Sequence, residues 1–230
     1  MLTKNKKISR KEIKQDGLVT FYYKAVKFID DQKKYLSIGM GALAVLIVVI
    51  VLLVSSRRKS NEQASSDLSQ VISIYNQGAY QDAIDGKQTQ GQKIKGLKKI
   101  VDEHGSSEAG EVAKIYLANS YYNLKQYDNA LKAFDSYGGS IDHLKAAAYA
   151  GQAACYEAKN DAQKAAEYYL KASKVSSANV LNPSYLMSAG INLIESGKND
   201  EAKDALKSVK KNYPKSEYAS QVDRYLSQVE

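Results

Sequence analysis

Apolar positions are laid along this chain in three different patterns. Between residues 36 and 56 they crowd together without a period, in the run LSIGMGALAVLIVVIVLLVSS, 21 positions without a charge. Just before it, Leu18, Phe21, Tyr22, Ala25, Phe28 and Ile29 recur at helical spacing with lysines between them, which predicts an amphipathic helix. Beyond residue 60, small and large apolar residues come in helix-sized blocks separated by polar turns such as LKQYDNA, AKNDAQKA and SGKNDEA. A helix must stop where Asn, Asp and Gly cluster in this way.

The unbroken run predicts a membrane-spanning helix over residues 36–56. At about 1.5 Å per residue it is roughly 30 Å long, the thickness of a bilayer's hydrocarbon core. From Leu43 to Val54 every residue except Ala44 is a large aliphatic. At about −0.5 kcal/mol each, these side chains favour insertion by roughly 5 kcal/mol. Lys33, Lys34 and Tyr35 mark one interface, and Arg57, Arg58 and Lys59 the other. Ser37 and Gly41 form one small-xxx-small pair, a helix-packing face. A cleavable signal peptide fits less well, because its basic region would be 35 residues long and Val54–Ser56 only faintly imitates a cleavage site. With no cysteine directly behind the span, a lipoprotein is not expected and an uncleaved anchor is.

Ten Lys or Arg precede the span and three follow it closely. By the positive-inside rule the N-terminus lies inside and the long C-terminal part outside. Ser9-Arg-Lys-Glu12 has the spacing of a capping box. The amphipathic helix after Gly17 is expected on the inner leaflet or against a partner.

The blocks beyond residue 60 repeat. Leu117-Ala118 and Tyr121 on one helix are followed by Ala130 and Phe134 on the next; the second unit has Gln152-Ala153, Tyr156, Ala165 and Tyr169; the third has Ala189-Gly190, Leu193, Ala202 and Leu206, with Pro214 behind it. Ala130, Ala165 and Ala202 lie 35 and 37 residues apart. A small residue at a crossing lets two antiparallel helices approach, and a large one a turn away fills the groove beside it. The pattern resembles the tetratricopeptide repeat, a helix–turn–helix unit of about 34 residues. The resemblance implies an all-α fold: one N-terminal transmembrane helix, then a right-handed helical solenoid of three units over residues 111–214. Residues 57–110 are expected to be a linker and a degenerate first repeat around Ala79-Tyr80-Gln81-Asp82-Ala83. A basic amphipathic stretch follows at 93–101, and a capping helix closes the chain at 215–230.

The plan of short tail, single span and repeats is similar to the ancillary subunits of the bacterial SecYEG translocon. That resemblance implies a periplasmic repeat domain with other proteins as partners: secretion-channel subunits, periplasmic chaperones or exported clients. In tetratricopeptide proteins the first helix of each unit lines a concave peptide groove. Carried onto this chain, the groove positions include Asn119, Tyr122 and Asn123, then Glu157, then Met187 and Ile191. Asn119 resembles the asparagine that holds a peptide backbone in such grooves. The lysine expected four positions earlier is Ile115 here, so capture of a terminal carboxylate is not expected.

Charge and composition narrow the alternatives. The net charge is +8, but residues 1–59 hold 13 Lys/Arg against 4 Asp/Glu, while residues 60–230 hold 20 against 21. The repeat region is neutral and lacks the basic face that nucleic-acid binding requires. Cys155 is the only cysteine, on a helix expected to pack internally. His104 and His143, read as loop residues, have no ligand-spaced neighbours, so no metal site is expected. Gly138-Gly139 lacks the rest of a phosphate loop. No nucleophile elbow or paired-carboxylate constellation stands out; an enzyme is not expected, nor a cofactor.

Overall fold

The computed structural model describes residues 17–89 and 91–229. The Ser9–Glu12 capping box lies outside them. The chain divides into two compact units, with the boundary between Ser56 and Arg57.

The first unit is helical throughout its described part. Helix α1 is Gly17–Asp31 and helix α2 is Lys33–Asn76, 44 residues long. Helical hydrogen bonding runs across the joint, from Gln32 N to Phe28 O (3.0 Å) and from Leu36 N to Gln32 O (2.9 Å). On α1, Phe21, Tyr22, Phe28 and Ile29 are all exposed. So is every large aliphatic from Leu43 to Val54, each between 48% and 64% exposed. A window of this helix has mean hydropathy 3.0, and none of it is covered by protein. Its length and composition are those of a membrane span or of a signal sequence.

The second unit begins on the same helix. Along residues 57–76 burial becomes periodic, with Ala64, Leu68, Val71 and Ile74 covered at steps of four, three and three. That is the stripe of a helix lying on a protein core. Helix α2 runs without a break through residues 57–76, within the stretch read as linker and degenerate first repeat. The following helices are α3 Tyr80–Asp85, α4 Leu97–His104, α5 Glu108–Asn123, α6 Tyr127–Asp135, α7 Asp142–Ala158, α8 Ala162–Lys174, α9 Asn182–Glu195 and α10 Asn199–Asn212. Each packs on its successor from α4 to α10, and α5 also touches α7, which is how stacked helix pairs meet.

The turns state the repeat more clearly than the apolar residues do. Between the two helices of successive pairs stand Gly78 (φ 76°), Lys125 (φ 58°), Asn160 (φ 58°) and Gly197 (φ 74°), all left-handed. The last three are 35 and 37 residues apart, matching the alanine spacing. Glycine and asparagine accept this conformation readily, whereas Lys125 adopts it at a cost of about 1 kcal/mol. The four turns mark four helix pairs, one more than the three recognised units. The extra pair occupies the region read as degenerate.

Its irregularity is an insertion. Strand β1 (Gly86–Thr89) pairs antiparallel with β2 (Gln92–Lys95), in register Gly86↔Lys95 to Thr89↔Gln92. The hairpin leaves after Asp85 and returns at Gly96. A Cβ on Gly96 would stand 2.2 Å from Ile84 O, so only glycine lets the two ends of the insertion meet. Helices α3 and α4 are therefore two halves of one repeat helix. Ala83 precedes Ala130 by 47 residues, and removing the ten hairpin residues leaves 37. The expected basic amphipathic stretch at 93–101 is thus not one element. Its first residues are strand, and Leu97 and Ile100 of α4 are fully buried.

Packing at the crossings follows residue size. A Cβ on Gly151 would meet the Phe134 ring at 2.2 Å, and one on Gly190 would meet Leu206 at 2.7 Å. Ser107 caps α5 by accepting from Gly110 N (3.1 Å), and Asp161 caps α8 through Lys164 N (3.1 Å). The C-terminal cap is a 3₁₀ turn, Glu217–Ser220, and a short helix α11, Val222–Leu226. Val222 is buried against Met187, Leu206 and Val209.

Candidate interaction surface

The inward positions of the first helices belong to seams where one pair meets the next. At the seam of α5, α6 and α7, Tyr122 is half-buried and its ring lies 5.7 Å from that of Tyr127. Burial raises the Tyr122 pKa, with smaller contributions from Tyr127, Cys155 and Glu157. Cys155 is fully buried, and burial pushes its thiol up to about 11. Asn119, also half-buried, offers its backbone oxygen to Asn123 Nδ2 (2.8 Å). Asn123 itself is exposed.

One repeat later the seam is polar. Glu157 on α7 accepts from the Tyr169 hydroxyl of α8 at 2.8 Å and from Asn192 Nδ2 of α9 at 2.6 Å. Asn192 is 2% exposed, and its amide also donates to Ser188 O (2.9 Å). Tyr169 is held strongly in its neutral form by burial and then by its bond to the Glu157 carboxylate. Glu157 remains exposed.

The third expected pair of groove residues lies elsewhere. Met187 is 3% exposed and belongs to the core beneath the C-terminal cap. Ile191 is half-buried against the same cluster. The cap thus occupies the face that Met187 and Ile191 were expected to offer a ligand. Sequence reasoning took Tyr169 as a repeat packing residue and passed over Asn192. Spacing gave no signal for Asn192, whose equivalent one unit earlier is Cys155, 37 residues upstream.

Other polar groups are structural in their surroundings. His104 ends α4 and His143 lies on α7, so both are helical and neither is in a loop. His104 Nδ1 meets Ser60 Oγ at 2.9 Å, and Asn61 Oδ1 accepts from Ala109 N at 2.7 Å, tying α2 to α4 and α5. Lys95 bridges Asp67 and Glu103, both at 2.9 Å, anchoring the hairpin's base. Those contacts raise the Lys95 pKa, its hydrogen bond to Glu103 first. A cavity of about 420 Å³ opens beside Tyr137–Ile141, where Glu111 accepts from Gly138 N (2.8 Å) and pairs with Lys114 (2.8 Å). Among the described residues no three His, Cys, Asp or Glu side chains gather at metal-binding distance.

Stacked helix pairs with a left-handed turn between the two helices of each pair define a helical-repeat scaffold. Two segments of the chain, residues 113–138 and 185–216, match the tetratricopeptide repeat family. That repeat is a non-catalytic interaction scaffold which binds other proteins. The matched segments are the first and third units. The third matches although leucine replaces both of its aromatics, and the second, which departs at Gln152, lies between them. No curated protein matches the sequence.

Proposed function

We propose that this protein is a membrane-anchored interaction module whose repeat unit binds protein segments through the first helices of its pairs. The observation that carries this reading is the fourfold recurrence of a helix pair after a helix with 21 charge-free positions. The pairs give an extended surface lined by Tyr122, Asn123 and Glu157. The charge-free helix supplies the anchor, with membrane lipid around residues 36–56. The ten Lys and Arg before it favour a cytoplasmic N-terminus and a repeat unit in the periplasm of a bacterium. There it assists protein export or envelope assembly near the secretion channel, as the architecture of the translocon's ancillary subunits suggests. Its partners would be channel subunits, periplasmic chaperones or exported clients.

Protease added to sealed spheroplasts tests the orientation. Digestion of residues 60–230 without permeabilisation is the expected result. Protection would move the repeat unit to the cytosol and make the chain a cytosol-facing scaffold or receptor. Photocrosslinking from position 123 tests the binding surface. A specific partner is expected, lost in Asn119→Ala/Tyr122→Ala; adducts unchanged by that double substitution would remove the surface from the account.

A further inference from the structure

The carboxylate of Glu157 is held between the half-buried Tyr169 and the buried Asn192, yet among the described residues no cation pairs with it. Each oxygen receives one hydrogen bond, from Tyr169 and from Asn192. Asn192 cannot swing away, because its amide is also bonded to Ser188 O within its own helix. A carboxylate oxygen has two acceptor sites, so one on each oxygen remains free. Among the described residues no lysine or arginine forms an ion pair with Glu157. The nearest in sequence, Lys159, is paired with Asp128.

The repeat itself does not require this arrangement. One unit earlier, the positions equivalent to Glu157 and Asn192 are Tyr122 and Cys155, 35 and 37 residues upstream. That seam closes with an aromatic ring and a buried thiol. An apolar pair serves packing as well as or better than a polar network. The polar version therefore calls for a reason outside packing.

The surroundings select the ligand's charge. Of the groove positions Asn119, Tyr122, Asn123, Glu157, Met187 and Ile191, Glu157 alone is charged, and it is negative. Tyr122 lies within electrostatic range of Glu157 and of Tyr169. A tyrosine ring beside a fixed carboxylate suits a cation on an apolar stem, through ion pairing and cation–π attraction. The two free acceptor sites suit a guanidinium fork or an ammonium donating to both.

Building on the interaction surface proposed above, we infer that Glu157, oriented by Tyr169 and Asn192, receives a lysine or arginine side chain of an extended partner segment. The segment crosses the first helices of the pairs, and its cation completes the seam.

The test uses the full chain in phosphatidylcholine nanodiscs, as wild type, Glu157→Gln and Tyr169→Phe. Thermal unfolding first establishes that each variant is folded. A random dodecapeptide display library, depleted on empty nanodiscs, is then selected on the wild type. Arginine or lysine is expected to be enriched at one position. A selected peptide should bind about tenfold more weakly to Glu157→Gln, the scale of a partly exposed charge pair. Replacing the peptide's cation with glutamine should cost the same factor, and the two changes together no more than either alone. Arginine and lysine versions of one peptide show which cation is preferred. Tyr169→Phe, which keeps the ring and removes one orienting donor, should fall between wild type and Glu157→Gln. A pool without basic enrichment, or losses that simply add, would overturn the inference while leaving the surface intact. If the wild type selects no peptide, the interaction surface itself falls.

Discussion

Helix α2 is one secondary structure with two kinds of surface. Over its first half, large aliphatics face outward on every side, from Leu43 at 57% exposed to Val54 at 60%. Over its second half the apolar residues form a stripe, and Val71 is fully covered. Backbone geometry and hydrogen bonding do not distinguish the halves; the arrangement of side chains does. A helix that is apolar all round asks for a lipid environment, and one that is apolar on a stripe asks for a protein surface. The change falls at Arg57-Arg58-Lys59, where three cations follow the last apolar turn.

The largest effect expected from breaking this contrast comes from charge in the first half. Leu46→Arg with Val49→Arg adds about 2.5–3.5 kcal/mol per arginine at the centre of a span. The chain should then move from the membrane pellet to the soluble fraction. Leu68→Arg should instead unfold the repeat unit and leave the chain in the membrane. Truncation gives a milder version. Leu68→Ala should lower the unfolding free energy of the repeat unit by about 2–5 kcal/mol. Leu52→Ala, on the same helix, should leave the thermal unfolding of that unit unchanged.

A third prediction concerns Cys155. In the unfolded chain a thiol titrates near pH 8.5, and here burial pushes it up to about 11. Above the lower value the unfolded state loses its proton first. Stability is therefore full below about pH 8.5 and falls as pH rises towards 11, by on the order of 2 kcal/mol. Denaturant titrations at pH 8 and 10.5 should show this loss, and Cys155→Ala should lack it. The smallest effect concerns the hairpin. Excising residues 86–95 joins Asp85 to Gly96 and should change stability by about 1 kcal/mol or less, since loop length enters only logarithmically. Collapse of the unit after excision would show that the first pair is not an interrupted copy of the others.

The parts legible in the sequence were those carried by many residues at once. The long apolar helix declared itself through eleven large aliphatics, and the later pairs through small residues and polar turns that recur together. The hairpin was hidden because its strands, GKQT and QKIK, are polar and short. Only the glycines at 86 and 96, on either side of it, hinted at a chain that leaves and returns. Leu97 and Ile100, the buried residues of α4, were absorbed into a basic stretch because lysines surround them. Of the proposed surface, Tyr122 and Glu157 were legible as helix positions one repeat apart. For Met187 and Ile191 spacing could not show that Val222 and Tyr218, from the turn and short helix behind α10, pack on the same cluster. Asn192 was missed because its position is apolar or small in the earlier units, Cys155 and Ser120, and nothing marks it as polar until Glu157 is placed opposite.

The account rests on the two environments of α2, and an accessibility scan along that helix addresses them directly. In a Cys155→Ala background, single spin-labelled cysteines from positions 43 to 74 would be measured in bilayers for collision with oxygen and with a water-soluble nickel complex. From 43 to 54 every site should favour oxygen, with no helical period. Beyond residue 60 the nickel complex should dominate, with collisions suppressed at 64, 68, 71 and 74. A helical period of protection within 43–54, or nickel access throughout that run, would contradict a membrane anchor and with it the central claim.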